Sequence, residues 1–141
     1  MSDMYTSVTT RSANAYKRVA IDTSVSTASS HHMVTLLFDE LLLSLASARH
    51  ALKAGDISGK VRHVGKAMRI LQEGLLATLD MERGGLLASQ LKSLYEYCGV
   101  RLVSANARND MAGLQEVTDL IAPIAESWKQ IGGAGHVANA A

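Results

Sequence analysis

The chain has 141 residues, of which 48% are hydrophobic and 19% are charged, and its formal net charge is +1. The length is that of one domain, and the composition indicates a packed core rather than a disordered tail. A single proline and six aromatic residues argue against a β-sandwich or barrel, so the composition predicts an all-α fold. The balanced charge excludes a general attraction to nucleic acid or to an acidic membrane surface.

Three features of the sequence predict a cytoplasmic protein. The single cysteine, Cys98, has no partner for an internal disulfide. The polar segment 1–17 lacks the apolar stretch of a secretory signal. The most apolar segment, 33–45, contains four polar residues and falls short of the ~20 apolar residues that cross a bilayer. No membrane insertion is therefore expected.

The chain begins with a segment that is distinct from the predicted helices. Residues 1–28 are rich in serine, threonine and small residues and have no sustained hydrophobic period, which predicts a flexible arm or a short capping helix. Ser29 can cap the first long helix, because its hydroxyl can accept an amide hydrogen of the first turn. This helix runs to about Lys53, and Gly55 can take the left-handed conformation that ends it.

The second and third helices are predicted from hydrophobic steps of three and four. Asp56 or Ser58 can cap the second helix, and the glycines at 84 and 85 are expected to end it. The third helix follows these glycines and ends near Arg108. The short connections favour antiparallel neighbours.

The fourth helix has the most regular pattern. Asn109 or Asp110 can cap it, and its apolar residues then alternate at steps of three and four from Leu114 to Ile131. Pro123 lies inside this pattern and predicts a kink or a break. Residues 133–141 are predicted to be a disordered tail. Together, residues 29–132 are predicted to form an antiparallel four-helix bundle.

The first long helix carries more apolar residues than a bundle needs. Segment 33–45 has nine apolar side chains, whereas the stripe of a core-facing helix uses about six of thirteen positions. Two stripes result, the first formed by Met33, Leu37, Leu41 and Leu45, and the second by Val34, Phe38 and Leu42. The second stripe is covered either by the arm of the same chain or by an amphipathic helix of another protein.

No pattern for catalysis or for metal binding occurs in the sequence. A di-iron bundle needs Glu-x-x-His pairs, and no glutamate is followed by histidine at that spacing. None of the five histidines has a second ligand at helical spacing; they are His31, His32, His50, His63 and His136. Cys98 lies on an apolar stripe, where a cysteine usually acts as a small buried hydrophobe. We therefore expect neither an enzyme nor a bound cofactor.

Several short runs, in order and spacing, resemble the flagellar secretion chaperone FliS family. The main runs are STAS at 26–29, LLFD at 36–39, LDMERGG at 79–85, LYEY at 94–97, ANARND at 105–110 and SWKQI at 127–131. The resemblance extends from about Tyr16 to Ile131. This sequence departs from the family pattern at Ser30, where proline is usual, at Cys98, where methionine is common, and at Pro123.

The resemblance implies a cytosolic chaperone with an antiparallel helical bundle. Such proteins bind the C-terminal region of flagellin, block its premature polymerisation and deliver it to the export gate protein of the flagellar type III apparatus. Some members also bind an anti-sigma factor. In some members a tyrosine of the N-terminal arm contributes to gate docking or covers the flagellin groove. Tyr16 matches that tyrosine, and Tyr5 resembles the opening of several relatives.

Five residues are candidates for flagellin contact, namely Val34, Phe38, Leu42, Tyr97 and Arg101. Each also has a structural interpretation: Phe38 can be ordinary core, Tyr97 can bond a loop, and Arg101 can pair with a surface acid. The alternative function is that of a structural or regulatory helical module, which self-associates through its surplus apolar stripe.

Overall fold

The computed structural model describes residues 23–132, with side chains described from Ser30 onward. This part of the chain forms α1 (Thr23–Lys53), α2 (Ile57–Arg69), α3 (Met81–Arg108) and α4 (Met111–Ile131). A π-helical segment, Ile70–Leu76, directly continues α2. No strand occurs between residues 23 and 132, so the all-α prediction is confirmed.

The four helices form a bundle in which α1 packs against α2 and α4. Helix α3 packs against α4, against α2 and against the π-helical segment that continues α2. Short turns join successive helices, so sequence neighbours are antiparallel, and the predicted antiparallel four-helix bundle is confirmed. The core contains large apolar side chains from every helix, including Phe38, Leu71, Tyr95 and Ile121. The predicted arm and tail lie mostly outside the described residues.

An aspartate begins each helix after α1. Asp56, Asp80 and Asp110 each accept a hydrogen bond from the amide three residues further on, at 3.0, 3.0 and 3.2 Å. These bonds satisfy amides that have no partner inside the helix. Asp56 and Asp110 were among the predicted caps. The cap at Asp80 was not predicted, because it lies within what the hydrophobic pattern assigned to the second helix.

Two predicted helix limits are wrong. α1 begins at Thr23, so Ser29 lies inside the helix and does not cap it. Residues 23–29 contain no glycine or proline, and the helix propensities of Ser, Thr and Val are only a few tenths of a kcal/mol below those of better formers. The helix continuing α2 ends at Leu76 rather than at the paired glycines. Those glycines lie in the first turns of α3, where Gly85 has φ +53° and interrupts the regular geometry.

Of the kink or break predicted at Pro123, the break does not occur, since α4 runs from Met111 to Ile131 without interruption. Proline removes the amide that would bind the carbonyl of Asp119. Both Pro123 and Asp119 lie on the exposed face of α4, so water can bind that carbonyl. The cost of the lost hydrogen bond is therefore smaller than in a buried helix.

Candidate functional site

The predicted second stripe of α1 is not exposed. Val34 is 3% and Phe38 is 1% exposed, and both belong to the core, while Leu42 is half-buried. The prediction that these residues face away from the bundle is wrong, because α1 packs against two neighbours and buries a wider arc than one stripe. Their contact with a partner protein stays a prediction.

The surplus apolar surface of α1 exists, but it lies on a different face. Met33 is 59%, Leu36 is 46% and Leu43 is 58% exposed. Met33 was assigned to the first stripe, and Leu36 and Leu43 to neither. Nearby Glu40 forms an ion pair with Lys66 of α2 at 2.8 Å, which marks this face as the outer side of the α1–α2 contact.

The contact between α1 and α4, here called the α1–α4 seam, is closed by reciprocal hydrogen bonds and a ring stack. Trp128 Nε1 donates to the carbonyl oxygen of His31 at 3.1 Å. His31 Nε2 lies 2.8 Å from the carbonyl oxygen of Trp128, and since a carbonyl only accepts, Nε2 carries the hydrogen. The two rings stack with centroids 4.6 Å apart. Further along the seam, Arg49 Nη1 donates to Thr118 Oγ1.

Tyr97 and Arg101 of α3 both bind Glu116 of α4. The Tyr97 hydroxyl donates to Glu116 Oε2, and Arg101 Nε donates to Glu116 Oε1 at 2.7 Å. Arg101 Nη1 also lies 3.3 Å from Asp110 Oδ2. Arg101 therefore pairs with surface acids, as its structural interpretation stated. The side chains of Tyr97 and Arg101 are both accessible from solvent.

The hydrogen bonds of this cluster lower the pKa values of its two carboxyl groups. The bond from Tyr97, and then that from Arg101, holds the pKa of Glu116 below its ordinary value. The amide of Gly113, followed by Arg101, lowers the pKa of Asp110. Neither carboxylate is poised to accept a proton near neutral pH, so the cluster has the chemistry of a structural network.

The contact between α2 and α3 is held at one end by a buried lysine. Lys60 is 2% exposed, and its Nζ donates to both the carbonyl oxygen and Oδ1 of Asn106, at 2.8 and 2.7 Å. Asn106 lies in the last turn of α3, where helix carbonyls carry partial negative charge. This bond fixes the level at which α2 and α3 face each other.

Beyond that bond, the outer edge of the contact is an apolar trough, here called the α2–α3 trough. The wall on α2 consists of residues four apart, namely Ile57, Val61 and Gly65. The wall on the facing flank of α3 consists of Gly99 and Val103, which are also four residues apart. Val61 and Val103 are each about half exposed. A methyl group added at Gly99 would meet no atom within 4 Å. The trough is therefore an open surface with aliphatic walls.

Sequence reasoning missed this trough, although two signals were present. Val100 and Val103 lie off the apolar stripe of the third helix, and mid-helix glycines occur in both α2 and α3. Neither signal shows on its own which helix is the neighbour. The register of α2 against α3, which the bond between Lys60 and Asn106 sets, brings the two together.

Nothing in the described part of the chain indicates a reactive centre. Burial raises the pKa of Cys98 to about 11, which disfavours the thiolate. Between residues 30 and 132 no group of three metal-ligating side chains comes together. His50 and His63 line a shallow cleft between α1 and α2. His136, Tyr5 and Tyr16 lie outside the described residues.

No helix within residues 23–132 is long and apolar enough to span a membrane.

The sequence is similar to proteins named flagellar secretion chaperones. It is 43% identical to FliS of Salmonella typhimurium over 117 residues, which are 83% of this chain and 87% of that protein. Identity to FliS of Escherichia coli is 35% over 120 residues, covering 85% and 88%. Identity to FliSB of Pseudomonas aeruginosa is 42% over 116 residues, covering 82% and 91%.

The family model described as flagellar protein FliS matches residues 12–135, which include every described helix. The match, the identities of these relatives and the helical bundle agree with the resemblance found in the sequence. The chain belongs to the flagellar protein FliS family.

Proposed function

We propose that this protein is a cytoplasmic, non-enzymatic export chaperone. It binds the C-terminal region of flagellin, prevents premature polymerisation, and delivers flagellin to the export gate protein of the flagellar type III apparatus. Membership of the FliS family supports a chaperone role, since the named relatives are flagellar secretion chaperones. Binding of an anti-sigma factor, as the resemblance implies for some members, is a further part of this proposal.

The observation that carries the proposal is the α2–α3 trough. An amphipathic helix docks by placing side chains at i, i+3, i+4 and i+7 into an apolar groove. The α2 wall of the trough supplies two exposed aliphatic side chains four residues apart, Ile57 and Val61, and the α3 wall supplies Val103. A flagellin segment that is disordered when free would fold in such a groove, at a cost of ~2–5 kcal/mol of the gross interaction energy.

The residues predicted from the sequence have different positions relative to such a partner. Tyr97 and Arg101 can be reached from solvent while the bundle stays closed. Contact of flagellin with Val34 or Phe38 requires the bundle to open, because both are buried in the core, and half-buried Leu42 needs a smaller change. The roles of Tyr5 and Tyr16 in gate docking or capping remain part of the proposal.

The test is a charged substitution on each wall of the trough. We expect Val61→Asp and Val103→Asp to leave the bundle folded, because both side chains are half exposed, and to weaken binding of purified flagellin C-terminal region at least about tenfold. Leu43→Asp is the control, since it places the same charge on an exposed aliphatic position of α1. Calorimetric titration measures binding, and circular dichroism measures folding.

Two outcomes would contradict the proposal. If the wild-type protein does not bind the flagellin fragment, the chaperone function is wrong. If Leu43→Asp weakens binding while both trough variants bind normally, the docking surface is the exposed face of α1.

The self-association alternative is favoured by one observation, the exposed Met33, Leu36 and Leu43 on α1. A stable dimer needs a contiguous apolar patch of this kind. Light scattering with and without the flagellin fragment separates the two functions. A dimer that the fragment does not change supports the alternative.

A further inference from the structure

The two flanks of the α2–α3 trough each carry a glycine, Gly65 on α2 and Gly99 on α3. Lys60 and Asn106 mark one level of the antiparallel pair. Gly65 lies five residues beyond Lys60 on α2. The position five residues before Asn106 on α3 is Arg101, which is two residues from Gly99. Both glycines are partly exposed. The middle of the trough therefore lacks side chains at these two positions, and the helix backbone is accessible there.

Internal packing does not explain these two glycines. A Cβ atom at Gly65 would have only the Arg69 guanidinium as a neighbour, at 4.0 Å, and at Gly99 it would have none within 4 Å. At Gly113, in contrast, it would lie 2.8 Å from the Ala105 methyl carbon. A mid-helix glycine is less favourable than alanine. The fold alone would therefore be better served by alanine at both trough positions.

The charge along one rim of the trough is positive. Arg62 and Arg69 of α2 are exposed, and neither forms an ion pair with a carboxylate in the described part of the chain. On the α3 rim, Lys92 is neutralised by Glu96 at 2.9 Å. Carboxylates of a docked partner would meet unpaired guanidinium groups on the α2 side.

We infer that the trough takes an α-helix that presents a small residue at the level of Gly65 and Gly99 and carboxylates toward Arg62 and Arg69. The glycines allow the partner backbone to approach closely, and aliphatic side chains on the side of that level toward Lys60 and Asn106 pack on the valines of the walls. This inference rests on the proposed function, which supplies the partner, the C-terminal region of flagellin. It adds that the glycines determine which helix segments fit.

The experiment is the double variant Gly65→Ala, Gly99→Ala, titrated with purified flagellin C-terminal region. We expect its midpoint of thermal unfolding to rise, because alanine favours the helix and meets no neighbour. We expect its affinity to fall about tenfold or more, since the two methyl groups occupy the approach path. Ser93→Ala is the matched control, because it also favours α3 but lies on an exposed face away from the trough.

The outcomes separate the inference from the function on which it rests. If the wild-type protein binds flagellin and the double variant binds equally well, the glycine inference is wrong and the chaperone function stands. If the wild-type protein does not bind, both are wrong. A double variant less stable than the wild type would also overturn the inference, because the space above the glycines would then be filled.

The rim charges are tested with Arg62→Gln, Arg69→Gln. We expect weaker flagellin binding at low salt and a smaller loss of affinity on raising the salt concentration than in the wild-type protein. An affinity and a salt dependence equal to those of the wild type would contradict the assignment of carboxylates to this side.

Discussion

The α1–α4 seam and the α2–α3 trough are two helix contacts of the same bundle that are built in opposite ways. The seam is closed by the stack of His31 on Trp128, whose side chain is buried. The trough has its bond at one end, between Lys60 and Asn106, and then opens into exposed valines and glycines. Large side chains complete the first contact, and their absence leaves the second available to a partner.

This difference separates residues that stabilise the fold from residues that are free to bind. A buried side chain of the seam, such as Trp128, has little exposed surface to offer, and its removal leaves a cavity. A side chain on the walls of the trough contributes little to stability, because it is solvated in the free protein. Substitutions in the two regions should therefore divide into effects on unfolding and effects on binding.

The largest effect is expected for Phe38→Ala. Removal of this ring from the core should lower the free energy of unfolding by about 3–5 kcal/mol. Val103→Ala in the trough should change it by less than about 0.5 kcal/mol. Urea unfolding followed by circular dichroism measures both. Equal losses in the two variants would mean that Val103 is packed as tightly as the core.

A smaller effect is expected from glycines that differ only in their surroundings. Gly113→Ala should lower the free energy of unfolding by about 1–3 kcal/mol, because its methyl group would lie 2.8 Å from Ala105 and from Arg101. Gly99→Ala should raise it, since there is open space above that residue. Thermal unfolding of the two variants compares them directly. A stabilised Gly113→Ala would show that the start of α4 is loosely packed.

His31→Ala should lower the free energy of unfolding by about 1–2 kcal/mol, because it removes the ring stack and one hydrogen bond of the seam. His32→Ala is the control, as His32 is the exposed neighbour in the same turn. Similar losses for the two variants would mean that the stack adds nothing to the seam.

Tyr95→Phe should leave stability unchanged or raise it by up to about 1 kcal/mol. Tyr95 is fully buried, and its hydroxyl has no hydrogen-bond partner in the described part of the chain. Burial of the hydroxyl raises the pKa of Tyr95 above its ordinary value. Removal of an unpaired buried hydroxyl leaves no partner unsatisfied. A clear loss of stability on urea unfolding would show that this hydroxyl is bonded after all.

The smallest effect concerns pH and the α3–α4 cluster. The folded-state pKa of Glu116 lies below its ordinary value of 4.5, so its contribution to stability is present above that value and is lost as pH falls through the folded pKa. Glu116→Gln should flatten the loss of thermal stability between about pH 5 and pH 3. Glu126→Gln, at an exposed site of the same helix, should not. Identical pH profiles would exclude a role of Glu116 in acid sensitivity.

Local signals predicted much of the fold. The aspartates at 56 and 110, the end of α3 at Arg108 and the apolar steps of α4 are decided within a few residues, and the structure agrees with them. The end of α2 was missed because its hydrophobic period continues past Leu76, while the cap at Asp80 starts a new helix. The family was identified correctly from the order of short runs.

The candidate site was harder to predict, because it depends on which helix faces which. The excess of apolar residues in α1 was correctly noticed, but Phe38 is buried in the core, and the exposed excess is at Met33, Leu36 and Leu43. Periodicity defines a face of one helix and does not say how many neighbours cover it. The trough requires the register of two helices, which one sequence does not contain.

The position of Trp128 makes the seam observable by light. It is the only tryptophan in the chain, and its ring rests on an imidazole at the junction of the first and last helices. Its emission therefore monitors this junction without an attached dye. A titration with flagellin that shifts the emission wavelength would report that docking alters the α1–α4 seam, and a constant spectrum would report a rigid scaffold.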